Sequence, residues 1–209
     1  MFTDSEYQQI LKACRTLPKT INNYLENDFV MNLFSTVLDY QMIRTTLANA
    51  ESHYKENHWH KIRTRDDLAN FLGKYPDTKD GNIAAAQYLW GYRYWTRVHQ
   101  LRGLVAYFDS SNVTDQESLR EWAKTSDFDR DFKGKIKGLS FAIYKWLVMR
   151  QGVATIKPDS NVRKFLNGII NRTLPDREAV DVLERTARDL GIPANELDWS
   201  IWDFQSNRK

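Results

Sequence analysis

With 209 residues and a net charge of +3, the chain is long enough to bury a sizeable core as one large domain or two closely packed lobes, and too weakly charged to mark a nucleic-acid binder by charge alone. A single cysteine, Cys14, excludes internal disulfides, Cys-ligated iron–sulfur clusters and Cys-rich zinc sites. The N-terminal MFTDSEYQQ is too polar for a signal peptide and no apolar run reaches membrane-spanning length, which together predict a cytoplasmic protein.

Taken in order, the first periodic segment runs from Glu6 to Leu17, with Tyr7, Ile10, Leu11 and Cys14 on one face, Asp4 or Ser5 as cap and Pro18 as stop. Asp28 to Tyr40 carries Val30, Leu33, Phe34, Val37 and Leu38 at helical spacing. Ile43 to Tyr54 follows after the junction Asp39-Tyr40-Gln41-Met42. A short helix over Arg65 to Phe71 ends at Gly73 and Pro76, and Asp80 or Asn82 is the expected cap for Ile83 to Trp90. Beyond Gly91, Tyr94 to Phe108 buries Val98, Leu101, Leu104, Val105 and Phe108, leaving Arg93, Arg97 and Arg102 toward the other side. Thr114 or Asp115 caps Leu119 to Ala123.

The stretch Phe132 to Phe165, FKGKIKGLSFAIYKWLVMRQGVATIKPDSNVRKF, reads as helix, hairpin, helix. Gly134 and Gly138 punctuate a lysine-rich turn, and Ser140 is a good N-cap for the apolar helix Phe141 to Arg150. The connection Gln151 to Pro158 can extend about 26 Å and delivers Asp159 to the start of the next helix, Asn161 to Asn171. Arg177 to Leu190 and a final helix with Leu197, Ile201 and Phe204 complete the chain. No run alternates with period two, so the expected fold is all-α, with about ten short helices.

Charge is unevenly spread. Phe132 to Arg150 holds Lys133, Lys135, Lys137, Lys145 and Arg150 without an acid, and Arg93, Arg97 and Arg102 form a second acid-free cluster. On charge alone, solvated helix faces are the favoured reading of such clusters. His53, His58 and His60 are close in sequence, but H-x4-H-x-H is not a common zinc spacing and no cysteine lies nearby, so no metal is expected there.

These segments resemble, in order and spacing, those of the helix-hairpin-helix DNA glycosylase superfamily, to which endonuclease III and the alkyladenine glycosylases belong. IKGLS stands where the family has L-P-G-V-G, and KPDSNVRKFL where a Gly/Pro-containing loop delivers the aspartate of V-D-T-H-V-x-R to the start of the next helix. STVLDYQMIRTTLANA resembles A-V-L-L-S-x-Q-x-x-D, and GYRYWTRVHQL resembles G-[LF]-[YF]-x-x-K-A-x-x-[IL]. The resemblance covers most of the chain. It implies two lobes, roughly 30–130 and 1–29 plus 131–209, with a cleft between them.

For function, the resemblance implies a monofunctional N-glycosylase that flips a modified or mispaired base out of double-stranded DNA and hydrolyses its glycosidic bond. Asp159 is the catalytic candidate that the resemblance implies, whereas the residues alone favour it as the N-cap of the helix that follows. Donors at a helix start favour its ionised form, which suits stabilisation of a sugar cation. Gln41 stands where the family's residue enters the duplex. Lys135, Lys137, Gly138, Ser140, Asn161 and Arg163 stand where DNA is contacted; at Gly138 a positive φ would turn the N–H groups of Leu139, Ser140 and Phe141 toward a phosphate. Tyr40, Trp90, Tyr92 and Trp95, with Tyr94, offer stacking surfaces for the extruded base.

Ala142 occupies the position of the Schiff-base lysine of bifunctional members, and Lys145 lies one turn beyond it, so strand cleavage is not expected. Ser140 replaces the second hairpin glycine and Asn161 the usual histidine. The implied protein is a monomer with no membrane contact and no cofactor beyond a monovalent cation at the hairpin. The alternative is a helix-hairpin-helix protein that binds nucleic acid without catalysis.

Overall fold

In a computed structural model of the protein, residues 2–21, 25–39 and 44–207 are described. They form eleven α-helices, one π-helical turn and no strand. The helices are α1 (Asp4–Arg15), α2 (Phe29–Leu38), α3 (Arg44–Asn57), α4 (Arg65–Gly73), α5 (Lys79–Trp90), α6 (Trp95–Ser110), α7 (Gln116–Thr125), α8 (Phe141–Met149), α9 (Ser160–Ile170), α10 (Asp176–Leu190) and α11 (Ala194–Ser206), with the π turn at Phe128–Phe132. None is long and apolar enough to cross a membrane. The chain divides into two compact units, Glu26–Leu147 and Met1–Leu25 with Val148–Lys209, so the division falls inside α8.

Within Glu26–Leu147 the organising element is α2, every residue of which is buried. A helix apolar on all sides must be surrounded, and α3, α4 and α6 pack around it. Phe34 meets Tyr54 of α3 and Trp90 of α5 edge-on, at 4.7 and 5.4 Å between ring centroids. The polar residues that α2 buries are each satisfied: Asn32 donates to Gln116 Oε1 at 2.8 Å, Ser35 to Glu51 Oε1 at 2.7 Å, and Thr36 to the Asn32 carbonyl at 2.7 Å.

A second apolar cluster in this unit gathers Tyr107 and Phe108 of α6, Trp122 of α7, Phe132 of the π turn and Tyr144 of α8. Phe132 is fully buried. Asp127 caps the π turn by accepting from the Asp129 and Arg130 N–H groups, and Lys133 N–H closes it on the Phe128 carbonyl at 2.7 Å. Nothing in the sequence announces this turn, because five residues are too few for a periodicity.

Within Met1–Leu25 and Val148–Lys209, α1, α9, α10 and α11 share a core of Tyr7, Ile10, Val162, Phe165, Val182, Leu183, Leu197 and Ile201. Cys14 lies in it as a free thiol that burial pushes up to about 12. The cap of α1 is Thr3, neither Asp4 nor Ser5, because Thr3 and Glu6 make a reciprocal capping box. Likewise Thr78, rather than Asp80 or Asn82, caps α5. Of the two candidates for α7, Asp115 is the cap.

Glu6 is also gripped by Arg172, whose Nε and Nη2 donate at 2.6 and 3.0 Å, while the Thr3 N–H donates at 2.7 Å. The guanidinium first, then the Thr3 backbone donor, hold the Glu6 carboxyl at about 2 instead of 4.5. A depressed carboxyl stabilises the fold above its unfolded value and loses that contribution as pH falls through the folded one. Melting temperature measured from pH 5 to pH 2 is therefore expected to fall more steeply for the wild type than for Glu6→Gln. Equal slopes would mean that the pair contributes nothing.

Candidate functional site

The hairpin between the π turn and α8 consists of two successive glycine turns. Lys133, at φ −57° and ψ 121°, is followed by Gly134 at φ +73°, and Lys135 N–H donates to the Phe132 carbonyl at 3.1 Å. Those are the dihedrals and the bond of a type II turn, which requires glycine in its third place. The pattern recurs four residues on, where Gly138 has φ +88° and Leu139 N–H donates to the Ile136 carbonyl at 3.2 Å. The two turns bury Ile136 and Leu139 and leave Lys133, Lys135 and Lys137 in solvent.

This hairpin is seated on α6. A Cβ on Gly103 would lie 3.1 Å from Ile136 Cγ2, a tight contact that would make the isoleucine give by a few tenths of an ångström, so the glycine lets it settle close on α6. One turn earlier, Gln100 is buried under Gly138, where an added Cβ would stand 2.5 Å from its Nε2. Gln100 Oε1 accepts from Arg97 Nη1 at 3.1 Å, linking the seat to the start of the helix.

Beside the hairpin runs a groove of about 360 Å³ lined by Asp77, His99, Gln100, Arg102, Gly103, Lys135 and Lys137. Arg102 does not project freely as its sequence neighbourhood suggests. Its Nε donates to Asn82 Oδ1 at 2.9 Å, its Nη2 donates to the Tyr75 carbonyl at 2.7 Å, and Asp77 stands 3.7 Å away. Asp77 accepts from Asn82 at 2.7 Å and pairs with His99 at 3.1 Å, contacts that hold its carboxyl below the usual carboxylate range. The cations left to the groove are the exposed Lys135 and Lys137; with Arg130, and more weakly than it, Lys135 is close enough to Asp131 to help hold that carboxyl below its usual range.

The anion-binding donors expected of the hairpin are fewer than three. Leu139 N–H is consumed by the second turn, as the conformation that Gly138 permits requires. Ser140 is exposed and its carbonyl accepts the Tyr144 N–H at 3.0 Å, the first bond of α8. Ala142 is half-buried, and the Lys145 ammonium lies 5.5 Å from the Phe141 ring centroid.

Asp159 belongs to the other unit. The loop that delivers it is fastened by Ile156, fully buried, and by two long-range bonds: Thr155 Oγ1 donates to Glu184 Oε1 at 2.6 Å and Lys157 N–H to Asp198 Oδ1 at 2.8 Å. Asp159 is the N-cap of α9, its Oδ1 accepting from Asn161 and Val162 N–H at 2.8 and 3.1 Å. Its Oδ2 accepts no hydrogen bond from the described residues. Asn161 therefore contributes its backbone donor to Asp159. Arg163, expected at DNA, makes a bidentate pair with Asp176, at 2.9 Å through each of Nε and Nη2.

The aromatic candidates part company. Trp90 is fully buried against Phe34, its Nε1 without a hydrogen-bond partner, and so belongs to the core of its unit and not to a pocket. Tyr94 and Trp95 are 39% and 38% exposed, and Tyr92 is half-buried with its ring 5.5 Å from that of Tyr94. Tyr40 and Gln41 lie outside the described residues. His58 stacks on Tyr88 at 3.9 Å and His53 Nε2 lies 3.1 Å from the Tyr88 carbonyl; among the described residues no group of His, Cys, Asp and Glu could hold a metal.

Sequence patterning does not single out Gln100 and Gly103, the seat of the hairpin. A glycine inside a helix, where it costs about 1 kcal/mol relative to alanine, is the available signal of a close approach. A family model described as a domain of unknown function, DUF8548, matches residues 12–206. No curated protein and no solved structure matches the chain.

Proposed function

We propose that this chain, which belongs to the DUF8548 family, binds double-stranded DNA through the hairpin that is seated on α6 and uses Asp159 to hydrolyse the N-glycosidic bond of a modified or mispaired base. The observation that carries the binding half is the doubled type II turn seated on Gln100 and Gly103, which holds two exposed lysines, Lys135 and Lys137, beside a groove. Phosphate contacts of this kind position a duplex without reading its sequence.

For the chemistry, breaking the bond between C1′ and the base nitrogen leaves positive charge on the sugar. A carboxylate held rigidly nearby lowers the energy of that state, and a water that adds to C1′ can pass its proton to the same carboxylate. Asp159 suits the role because its loop is fastened at Thr155 and Lys157, and because Oδ2 is uncommitted while Oδ1 is held by α9. With Ala142 in place of a lysine, hydrolysis without strand cleavage follows.

A second reading, nucleic-acid binding without catalysis, is favoured by one observation: capping α9 is by itself a sufficient role for Asp159. Incubation with a panel of damaged and mismatched duplexes, followed by detection of free base and abasic sites, separates the two. Base release supports the glycosylase; binding with no release from any duplex supports the second reading. For the hairpin, Lys135→Gln with Lys137→Gln is expected to lower the slope of log K against log salt by about 1.8, since every phosphate that is no longer neutralised takes about 0.9 from it. An unchanged slope would remove the hairpin from the interface.

A further inference from the structure

We infer that Tyr92, Tyr94 and Trp95, at the junction of α5 and α6, form an external stacking platform for unpaired bases of a strand whose backbone is held at the hairpin. The inference deepens the DNA-binding reading and rests on it for the position of the hairpin. Large aromatic side chains in the core of this unit are well covered, as Phe34, Tyr54, Trp90 and Phe108 are. Tyr94 and Trp95, four and five residues beyond Trp90, instead keep more than a third of their surface in water. Adjacent exposed rings of this size mark a surface with a partner.

The chemistry around them selects the partner. The segment 81–108 contains no acid, while Arg93 is exposed among the rings and Arg97 lies at the start of α6. Aromatic faces interleaved with arginine, without carboxylates, suit bases joined by phosphates: every base has a face to stack, and guanidinium groups answer the backbone charge. The Tyr92 and Tyr94 rings lie 5.5 Å apart and inclined at 37°, in contact with each other, so a base would stack on an outer face of the pair and not between the rings. Inside a duplex the base faces are covered by their neighbours and a terminal pair shows only one, so unpaired bases, which can turn to present a face, make the better partners for the rings.

The platform is continuous with the hairpin seat along a single helix. From Trp95 to Gly103 the axis of α6 advances about 12 Å, or about three to four base steps at the 3.4 Å rise of one strand. Arg97 and Gln100 bridge the interval by a hydrogen bond, with Gly138 resting on Gln100. A duplex gripped at Lys135 and Lys137 and ending near the platform would thus present its single-stranded extension to the rings.

The test compares three fluorescently labelled DNAs by anisotropy: a blunt duplex, the same duplex with a thymidine overhang, and the thymidine strand alone. The overhang duplex is expected to bind about tenfold tighter than the blunt one. Tyr94→Ala with Trp95→Ala is expected to abolish that advantage while leaving blunt-duplex affinity within about twofold, and Tyr94→Phe with Trp95→Phe to restore it, because a phenyl face still stacks. Circular dichroism of each variant shows that the fold is kept. Equal binding of blunt and overhang duplexes by the wild type, or an advantage that survives the double alanine variant, overturns the platform. The Lys135→Gln, Lys137→Gln variant separates the two readings: weakened blunt-duplex binding with the overhang advantage intact supports both, whereas unchanged blunt-duplex binding rejects the hairpin grip and the strand path from it, and the aromatic variants then decide the stacking by itself.

Discussion

Exchanging Asp159 for asparagine is expected to slow base release from a cleavable duplex by about 10²-fold or more, with almost no change in thermal stability. The two jobs of this side chain fall on different oxygens. Its Oδ1 accepts the Asn161 and Val162 N–H groups at the start of α9, and an asparagine oxygen can accept both bonds, being as good an N-cap as aspartate. What the substitution removes is the negative charge and the proton acceptor at Oδ2, which the cap does not use. Asp159→Ala, by contrast, removes the cap as well and is expected to cost about 1 kcal/mol of stability in addition to the rate. Released base quantified by chromatography, alongside thermal melting, gives both quantities. Release at the wild-type rate by the asparagine variant would leave Asp159 with the cap alone.

Gly138→Ala is expected to destabilise the unit Glu26–Leu147 by roughly 2–4 kcal/mol, through two separable causes. The first is backbone: φ +88° is unfavourable for any residue with a Cβ, by about 1–2 kcal/mol. The second is steric, since the new methyl would stand 2.5 Å from Gln100 Nε2 and must displace a buried amide that also holds Arg97. Gly134→Ala is the control, because it has φ +73° but nothing within 4 Å of the added Cβ, and so isolates the backbone part. Urea unfolding of both variants, and of Gly138→Ala in a Gln100→Ala background, completes the comparison. Recovery of the difference between the two glycine variants is expected in that background. If Gly134→Ala and Gly138→Ala are equally destabilised, Gln100 is not the seat of the hairpin.

Much of this architecture is legible in the chain itself. Helical periodicity places the α-helices because side chains on one face recur every three to four residues, a spacing that depends only on backbone geometry. The caps are less legible: Thr3 and Thr78 lie one and two residues before Asp4 and Asp80, the polar residues that read as caps, and only the bonds to Glu6 and Gly81 distinguish them from those neighbours. The π turn is invisible, and so is the aromatic cluster on which it rests, because Tyr107, Trp122, Phe132 and Tyr144 come from four separate segments.

By itself, then, the sequence determined the helices, the two glycine turns and the cap at Asp159, all of which are local: each follows from dihedral preference, spacing, or a hydrogen bond spanning a few residues. Only the tertiary structure decided which chemical groups remain available. Arg102 and Arg163 both read as free cations, yet Arg102 is drawn in by Asn82 and the Tyr75 carbonyl, and Arg163 by Asp176. Trp90 and Trp95 read as equivalent rings, yet one fills the core against Phe34 while the other faces water. The reason is physical: burial and ion pairing are settled between residues distant in the chain, and nothing in the spacing of one segment specifies what another will place against it.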